Sequence, residues 1–283
     1  MKLHAIRTGS VRVKTAQIEA RWPGPMGVVG ILTDPKWSAW LPTYAWAIEQ
    51  DEGVIVVDTG QTAGLLREAG HALHPYVRWE VLFQIEAEQE IGPQLKALGI
   101  GPRDVTKVVL THMHMDHDAG LAHFPNSEIF AARGEIDKAK GVMGAIRGYL
   151  PHRWPSWFNP TALDLDDGAL GPFSASKRLT RAGDIIAVAT PGHTAHHISV
   201  LVDEGDLCFM LAGDTSYNEA LMVAGKVDGV SANAAVSGAT LAAIRTFAEQ
   251  RPLVYLPTHD PESGRRFAAR QVIASDAAIK GPA

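Results

Sequence analysis

Short apolar runs punctuate this chain, each closed by a polar or glycine-containing turn, and their length predicts buried strands. They occupy Ala45–Ile48, Val54–Val57, Val108–Leu110, Ile185–Ala189, Ile198–Val202, Leu207–Leu211 and Leu253–Leu256. Between them apolar residues fall at helical spacing. Ile91, Leu95 and Leu98 share one face of a predicted helix over Glu88–Leu98, which Gly99 ends. Leu241, Ile244, Phe247 and Ala248 do the same over Ala234–Gln250. Strands interleaved with helices predict a layered α/β protein. No low-complexity segment or long linker divides the chain, so residues 1–283 are expected to form one domain. Two Pro- and Trp-rich stretches, Arg21–Pro42 and Leu150–Pro160, read as surface loops. Both are long for plain connections, so loops near residues 21–42 and 143–160 are expected to shape a substrate pocket.

The ends of the predicted strands carry the chemistry. Val108–Leu110 runs through Thr111 into His112-Met113-His114-Met115-Asp116-His117, which packs four metal-capable side chains into one turn. Val54–Val57 ends in Asp58-Thr59-Gly60, and the run near Ala189 ends in Thr190-Pro191-Gly192-His193. Leu207–Leu211 leads to Asp214, and Leu253–Leu256 leads to His259. Strand ends are where α/β proteins place binding groups. Brought to one edge, they would gather His112, His114, Asp116, His117, His193, Asp214 and His259. Five imidazoles and two carboxylates exceed the needs of one tetrahedral ion. They suit two divalent ions about 3.5–4 Å apart that share one carboxylate.

Composition narrows the field. The formal net charge is −5 and no basic run occurs, which argues against a nucleic-acid partner. A single cysteine, Cys208, excludes an internal disulfide and a Cys-rich zinc site. It lies in an apolar run and is expected to be a buried, inert thiol. No long apolar span and no signal-peptide pattern at Met1-Lys2-Leu3-His4 occur, so a cytoplasmic protein without a membrane partner is expected. Of the remaining histidines, His4, His71, His74, His123 and His152 are expected at the surface or in the core. His71, His74 and His152 are also candidate substrate contacts, and His196 has no assigned role.

The run His-x-His-x-Asp-His at His112–His117, the Gly192-His193 pair, Asp214 and His259 occur in this order, each after an apolar strand. In this the chain resembles the metallo-β-lactamase superfamily over roughly residues 43–260. The resemblance implies a four-layer αββα sandwich with metals at its edge. His112, His114 and His193 would hold one ion, Asp116, His117 and His259 the other, and Asp214 would bridge. A hydroxide between the ions would have its pKa lowered by their charge. Asp58 matches the family's supporting aspartate, and His197, in the Gly-His-Thr-x-x-His run, is expected to support the ligands or the structure behind them. Histidine at position 114, where the oxygen-reducing diiron branch has glutamate, points to a hydrolytic centre.

Tyr217 follows Asp214 by three residues, a spacing similar to that of the N-acyl-homoserine lactone lactonases, the quorum-quenching branch of the superfamily. There the phenol hydrogen-bonds the lactone carbonyl. Aspartate rather than cysteine at the bridging position fits lactonases and thioester hydrolases. The resemblance implies that the hydroxide attacks the ester carbonyl while Tyr217 polarises it, and that Asp116 passes a proton to the leaving ring oxygen. Two divalent ions, zinc first among them, would be the only cofactors. Trp22, Met26, Tyr76, Trp79 and Phe83 are candidate walls for an acyl tail, with ordinary packing under loops as the alternative for each. Exposed tryptophans would also suit a homodimer, which lactonases of this type often form. Three alternatives stay open: another lactonase of the pyridoxolactone type, a glyoxalase II-like thioester hydrolase, or a metal-binding protein without turnover. For the thioester hydrolase, Arg265, Arg266 and Arg270 would offer a carboxylate-binding patch.

Overall fold

The apolar runs form strands of two sheets that follow each other in the chain, in a computed structural model that describes residues 1–274. The first sheet holds β1 (Lys2–Val13), β2 (Leu41–Gln50), β3 (Gly53–Val57), β4 (Val81–Gln84), β5 (Val105–Leu110), β6 (Glu128–Ala132) and β7 (Thr161–Leu163). The second holds β8 (Ser176–Arg178), β9 (Ile185–Ala189), β10 (Ile198–Asp203), β11 (Cys208–Gly213) and β12 (Leu253–Pro257). In the first, the order is β4-β1-β2-β3-β5-β6-β7, antiparallel up to β3 and parallel from β3 to β7. In the second it is β12-β11-β10-β9-β8, with β11 and β12 parallel.

Alternation along the strands sorts side chains into layers. Trp46, Ile48, Ile55, Val57 and Val109 face Ile185, Ala187, Val200, Phe209 and Leu256 across the gap between the sheets. The opposite face of the first sheet, with Ala47, Val56 and Val108, packs on Ile91, Leu95, Leu121 and Ile136. The opposite face of the second, with Val188, Cys208, Met210 and Tyr255, packs on Leu241, Ile244 and Phe247 of the helix Ala234–Gln250. Strands buried on both faces need no polar alternation, which is why they read as unbroken apolar runs. The result is the αββα sandwich. Cys208 is buried, and that burial pushes its thiol up to about 12. Among the described residues no helix is long and apolar enough to cross a membrane.

Several elements depart from the sequence reading. β1 has twelve residues, yet Lys2, His4, Arg7 and Arg12 interrupt its apolar pattern, so periodicity does not reveal it. The predicted helix over Glu88–Leu98 divides into a tight turn at Ala87–Gln89 and a helix at Ile91–Ala97. Pro93 lacks an N–H and crowds the carbonyl four residues back, so the helix cannot extend further upstream. The stretches expected as loops contain short helices, Gly27–Leu32 in the first and Gly141–Ile146 running into the second. A buried carboxylate anchors the second. Asp118 accepts from Arg153 and, at 2.6 Å, from Trp154 Nε1, tying residues 147–158 to the turn that carries His117.

Candidate metal centre

The parallel pairing of β3 with β5 sets Val57 beside Val109, so both strands end at the same level. β11 and β12 end together at Gly213 and Pro257. The sheets meet at this edge, where Ile198 N donates to Thr111 O at 2.9 Å. All five strand ends singled out in the sequence therefore lie at one end of the sandwich. His114, Asp116 and His117 come from the short helical turn after β5, whose residues Met115–Asp118 start beside His114.

Seven side chains converge there in two groups. Ligand atoms of His112, His114 and His193 lie within 4.8 Å of one another, as do those of Asp116, His117 and His259. His114 Nδ1 is 3.0 Å from Nε2 of both His112 and His193. Asp214 stands between the groups. Its Oδ2 is 3.4 Å from His193 Nε2 and 3.3 Å from His259 Nε2, and its Oδ1 is 3.3 Å from His117 Nε2.

The far nitrogen of most rings is committed. His117 Nδ1 is 2.8 Å from Asp58 Oδ2, His193 Nδ1 is 2.8 Å from Asp228 Oδ2, and His259 Nδ1 is 3.0 Å from the Pro42 carbonyl. A carboxylate or carbonyl can only accept, so each Nδ1 carries a hydrogen and each Nε2 is the nitrogen turned to the centre. Thr111 Oγ1 donates to Asp58 at 2.9 Å and contacts His112 Nδ1 at 3.1 Å. His197 Nε2 accepts from the Asp214 backbone N–H at 3.1 Å, so His197 shapes the loop that presents Asp214.

Electrostatics divides the rings by their carboxylate neighbours: against the effect of burial, Asp228 raises His193, and Asp214 and Asp58 raise His117 well above the ordinary imidazole range. Burial, then the neighbouring imidazoles, pushes His112 down and takes His114 down to about 3, so both rings are neutral donors of lone pairs. Burial opposes charge on His259 as well, but Asp214 and Asp116 outweigh it and take that ring up to about 10. Burial also works to raise Asp214, yet His259 and His117 hold it well below the usual carboxylate range. Two atoms at the middle, His117 Nε2 and Asp214 Oδ1, are buried with no hydrogen-bond partner. Buried polar atoms rarely stay unpaired. A ring nitrogen and a carboxylate oxygen left unpaired among carboxylates are the environment a cation satisfies by displacing any ring proton, and this imidazole and carboxylate set suits divalent ions.

A cavity of about 170 Å³ opens over the centre. That is an order of magnitude more than one water needs, at roughly 10–15 Å³. His114, Asp116, His193, Asp214 and His259 line it, together with Gln17, Tyr76 and Tyr217. Its apolar wall includes Val11, Val13, Val28, Ile31, Val81 and Phe83. Tyr217 is buried and stacks on His259, with ring centroids 5.5 Å apart and planes at 22°. Burial, then Tyr76 and Asp214, keeps its phenol well above the ordinary range and so protonated.

The structure brings Tyr76 and Phe83 to the cavity but not Trp22, Met26 or Trp79, which are 41%, 53% and 61% exposed. In the segment that carries Trp22 and Met26, Val28 and Ile31 form the wall instead. They lie three residues apart in the helix Gly27–Leu32 and share its inner side. His74 also lines the cavity, with a buried and unpaired Nδ1, whereas His71 and His152 are exposed away from it. His4 and His123 pair with Glu49 and Glu90, at 2.6 and 2.8 Å. His196 lines a second groove beside Arg133 and Asp164. Sequence reasoning missed Gln17 and Arg147, which line the cavity, and Asp228, which holds His193. None follows an apolar strand, and no local pattern marks them. Arg266 is buried in ion pairs with Asp260 and Glu219, whereas Arg265 and Arg270 pair with Glu262 and Glu204 at the surface.

A family model described as the metallo-beta-lactamase superfamily matches residues 38–259. A probable metallo-hydrolase of Mycobacterium bovis is 31% identical over 187 residues, which cover 60% of this chain and 56% of that protein. The chain thus spans little more than half the length of that relative. An N-acyl homoserine lactonase of a Bacillus species is 32% identical over 181 residues, covering 63% of this chain and 66% of that one. The solved structure of an N-acyl homoserine lactone hydrolase, with the product N-hexanoyl-L-homoserine bound at its catalytic metal center, matches with a TM-score of 0.74. That match covers 93% of this chain and 95% of the other at 21% identity, a likeness of fold.

Proposed function

The chain belongs to the metallo-β-lactamase superfamily, and from that premise we propose that it is a dinuclear metal-dependent hydrolase that opens the ring of N-acyl homoserine lactones. One observation carries the reading. A single cavity has both histidine groups and the shared carboxylate on one side, a neutral phenol beside them, and an aliphatic wall. A lactone with an apolar tail needs all three. A relative named as an N-acyl homoserine lactonase supports the substrate class.

In this proposal His112, His114 and His193 hold one ion, Asp116, His117 and His259 the other, and Asp214 bridges. Two divalent ions, zinc foremost, would supply the activated water and an electrophile for the carbonyl. The protein's own groups do the rest. Tyr217 donates a hydrogen bond to the carbonyl oxygen as negative charge grows there. Water adds to the carbonyl carbon, the ring C–O bond breaks, and the freed ring oxygen takes a proton. Asp116 faces the cavity 3.4 Å from His259 Nε2 and can carry that proton. The product is the hydroxy acid. Asp58, Asp228 and Pro42 O keep the imidazoles aimed throughout.

The segments at residues 21–42 and 143–160 shape the pocket, through Val28 and Ile31 and through the anchored stretch beside Arg147. A cytoplasmic location and a homodimer belong to the same proposal, the first supported by a lone buried cysteine and the second by exposed Trp22, Trp40 and Trp79. A glyoxalase II-like activity is disfavoured by the protonated phenol of Tyr217 beside the centre, and Arg266 is buried in its own ion pairs. The test is ring opening across a panel of acyl homoserine lactones, other lactones and thioesters, with and without chelator. Chelator-sensitive opening of acyl homoserine lactones is expected; hydrolysis of thioesters alone would overturn the reading.

A further inference from the structure

The phenol of Tyr217 does not stand alone in the cavity. Gln17 lies in the short helix Thr15–Ile18, is buried, and is 200 residues from Tyr217 in the chain. Its Nε2 donates to the Tyr217 oxygen at 2.5 Å, and its Oε1 accepts from the Tyr76 hydroxyl. Burying a primary amide is costly unless both of its ends are paired, and here both are. A carboxamide has one accepting oxygen and a donating nitrogen, while each phenol has a single proton. The chain of bonds therefore has a direction. Tyr76 gives its proton to Gln17, Gln17 gives one to Tyr217, and Tyr217 keeps its own. Among the described residues no protein group accepts that last proton. Stacking on His259 fixes the ring that carries it.

We propose that Gln17 is a positioning residue that sets the polarity of Tyr217, accepting from Tyr76 and donating to Tyr217 so that the Tyr217 proton is left for the substrate carbonyl. The inference rests on the proposed hydrolytic reading, in which Tyr217 faces the reacting carbonyl. A phenol oxygen that already accepts a hydrogen bond is also a better donor through its own proton, because bonds in a chain polarise one another. Tyr76 occupies the accepting end of the amide, which leaves the donating end for Tyr217.

The test compares Gln17→Glu with Gln17→Leu, each alone and combined with Tyr217→Phe, by the pH profiles of kcat and KM on N-hexanoyl homoserine lactone. Glutamate fits the space and, once ionised at the alkaline end of the pH profile, only accepts, so there it draws the Tyr217 proton to itself. Its kcat there should fall as far as that of Tyr217→Phe, about tenfold to a thousandfold, an oxyanion-donor loss. KM should move by less than about threefold, as when an interaction made only in the transition state is removed. Leucine removes the orienting bond but leaves the proton free, so kcat should fall less, about three- to tenfold. In the Tyr217→Phe background, Gln17→Glu should cost nothing further, because the phenol it acts through is gone. Metal content and the melting temperature report that each variant is folded and loaded. A Gln17 that only filled space would rank glutamate above leucine, and that order would overturn the proposal. So would an equal loss from Gln17→Glu with and without the phenol, which marks a plain charge effect on the centre. Lactone opening by the parent protein reports on the function separately. If it hydrolyses another ester or a thioester instead, the same ranking is expected there, and a parent that turns over none of them sinks both readings.

Discussion

A histidine is a useful ligand when its second nitrogen is held, and the centre meets that demand for most of its rings. Asp228 is the least conspicuous example. Its Oδ2 takes the His193 Nδ1 hydrogen while its Oδ1 accepts from the backbone of Val230 and Ser231. Asparagine cannot accept on both sides. Asp228→Asn should weaken metal binding by about ten- to a hundredfold, measured by titration against a competing chelator, and wild-type affinity would contradict the assignment. Protonation gives a second check. His259, raised to about 10 by Asp214 and Asp116 against the effect of burial, carries a proton at neutral pH until an ion displaces it. Proton and ion compete at every pH below that value, so uptake should release protons and affinity should rise as pH rises. Zinc titrations in buffers of different ionisation enthalpy measure the release; uptake with no proton release would show that His259 is not a ligand.

The proposed ligands reach the centre because strands end where they do, and the turns beyond them are sterically constrained. Gly213, the last residue of β11, has φ 56°, and a Cβ there would lie 2.5 Å from His197 Nε2. That is the nitrogen that receives the Asp214 N–H. Gly213→Ala should therefore lower stability by about 1–3 kcal/mol from backbone strain alone, and should reduce metal content by displacing Asp214. Chemical denaturation and metal analysis check both; a variant that binds metal and unfolds like the parent would show that the turn is not constraining. Asp58 adopts φ 59°, a left-handed conformation that aspartate tolerates better than most side chains. In that pose it accepts from Thr111 N and Oγ1 and reaches His117. Its place after a predicted strand was legible in the sequence. The backbone turn that aims it was not, because φ depends on the packing of β3 against β5.

At the scale of the molecule, the centre joins the edges of two sheets. Asp58, His112, His114, Asp116 and His117 come from the first, and His193, Asp214 and His259 from the second. Ions bound there would tie the halves together and stabilise the folded state by mass action, about 2.7 kcal/mol at a hundred times Kd. Chelation should accordingly lower Tm, on the order of 5 °C for a chain of this size; an unchanged Tm would show that no ion bridges the sheets. Amino-acid order alone determined the layered class and the strands buried on both faces, because burial on two sides leaves an unbroken apolar run. It also marked the polar residues that follow those strands, since strand ends carry the binding groups of such folds. Tertiary structure decided what has no local signature. β1 pairs through a polar pattern, Val28 and Ile31 rather than Trp22 and Met26 turn inward, and Asp228 and Gln17 meet partners distant in the chain. These contacts depend on which surfaces close on one another, and no repeat along a single segment encodes that.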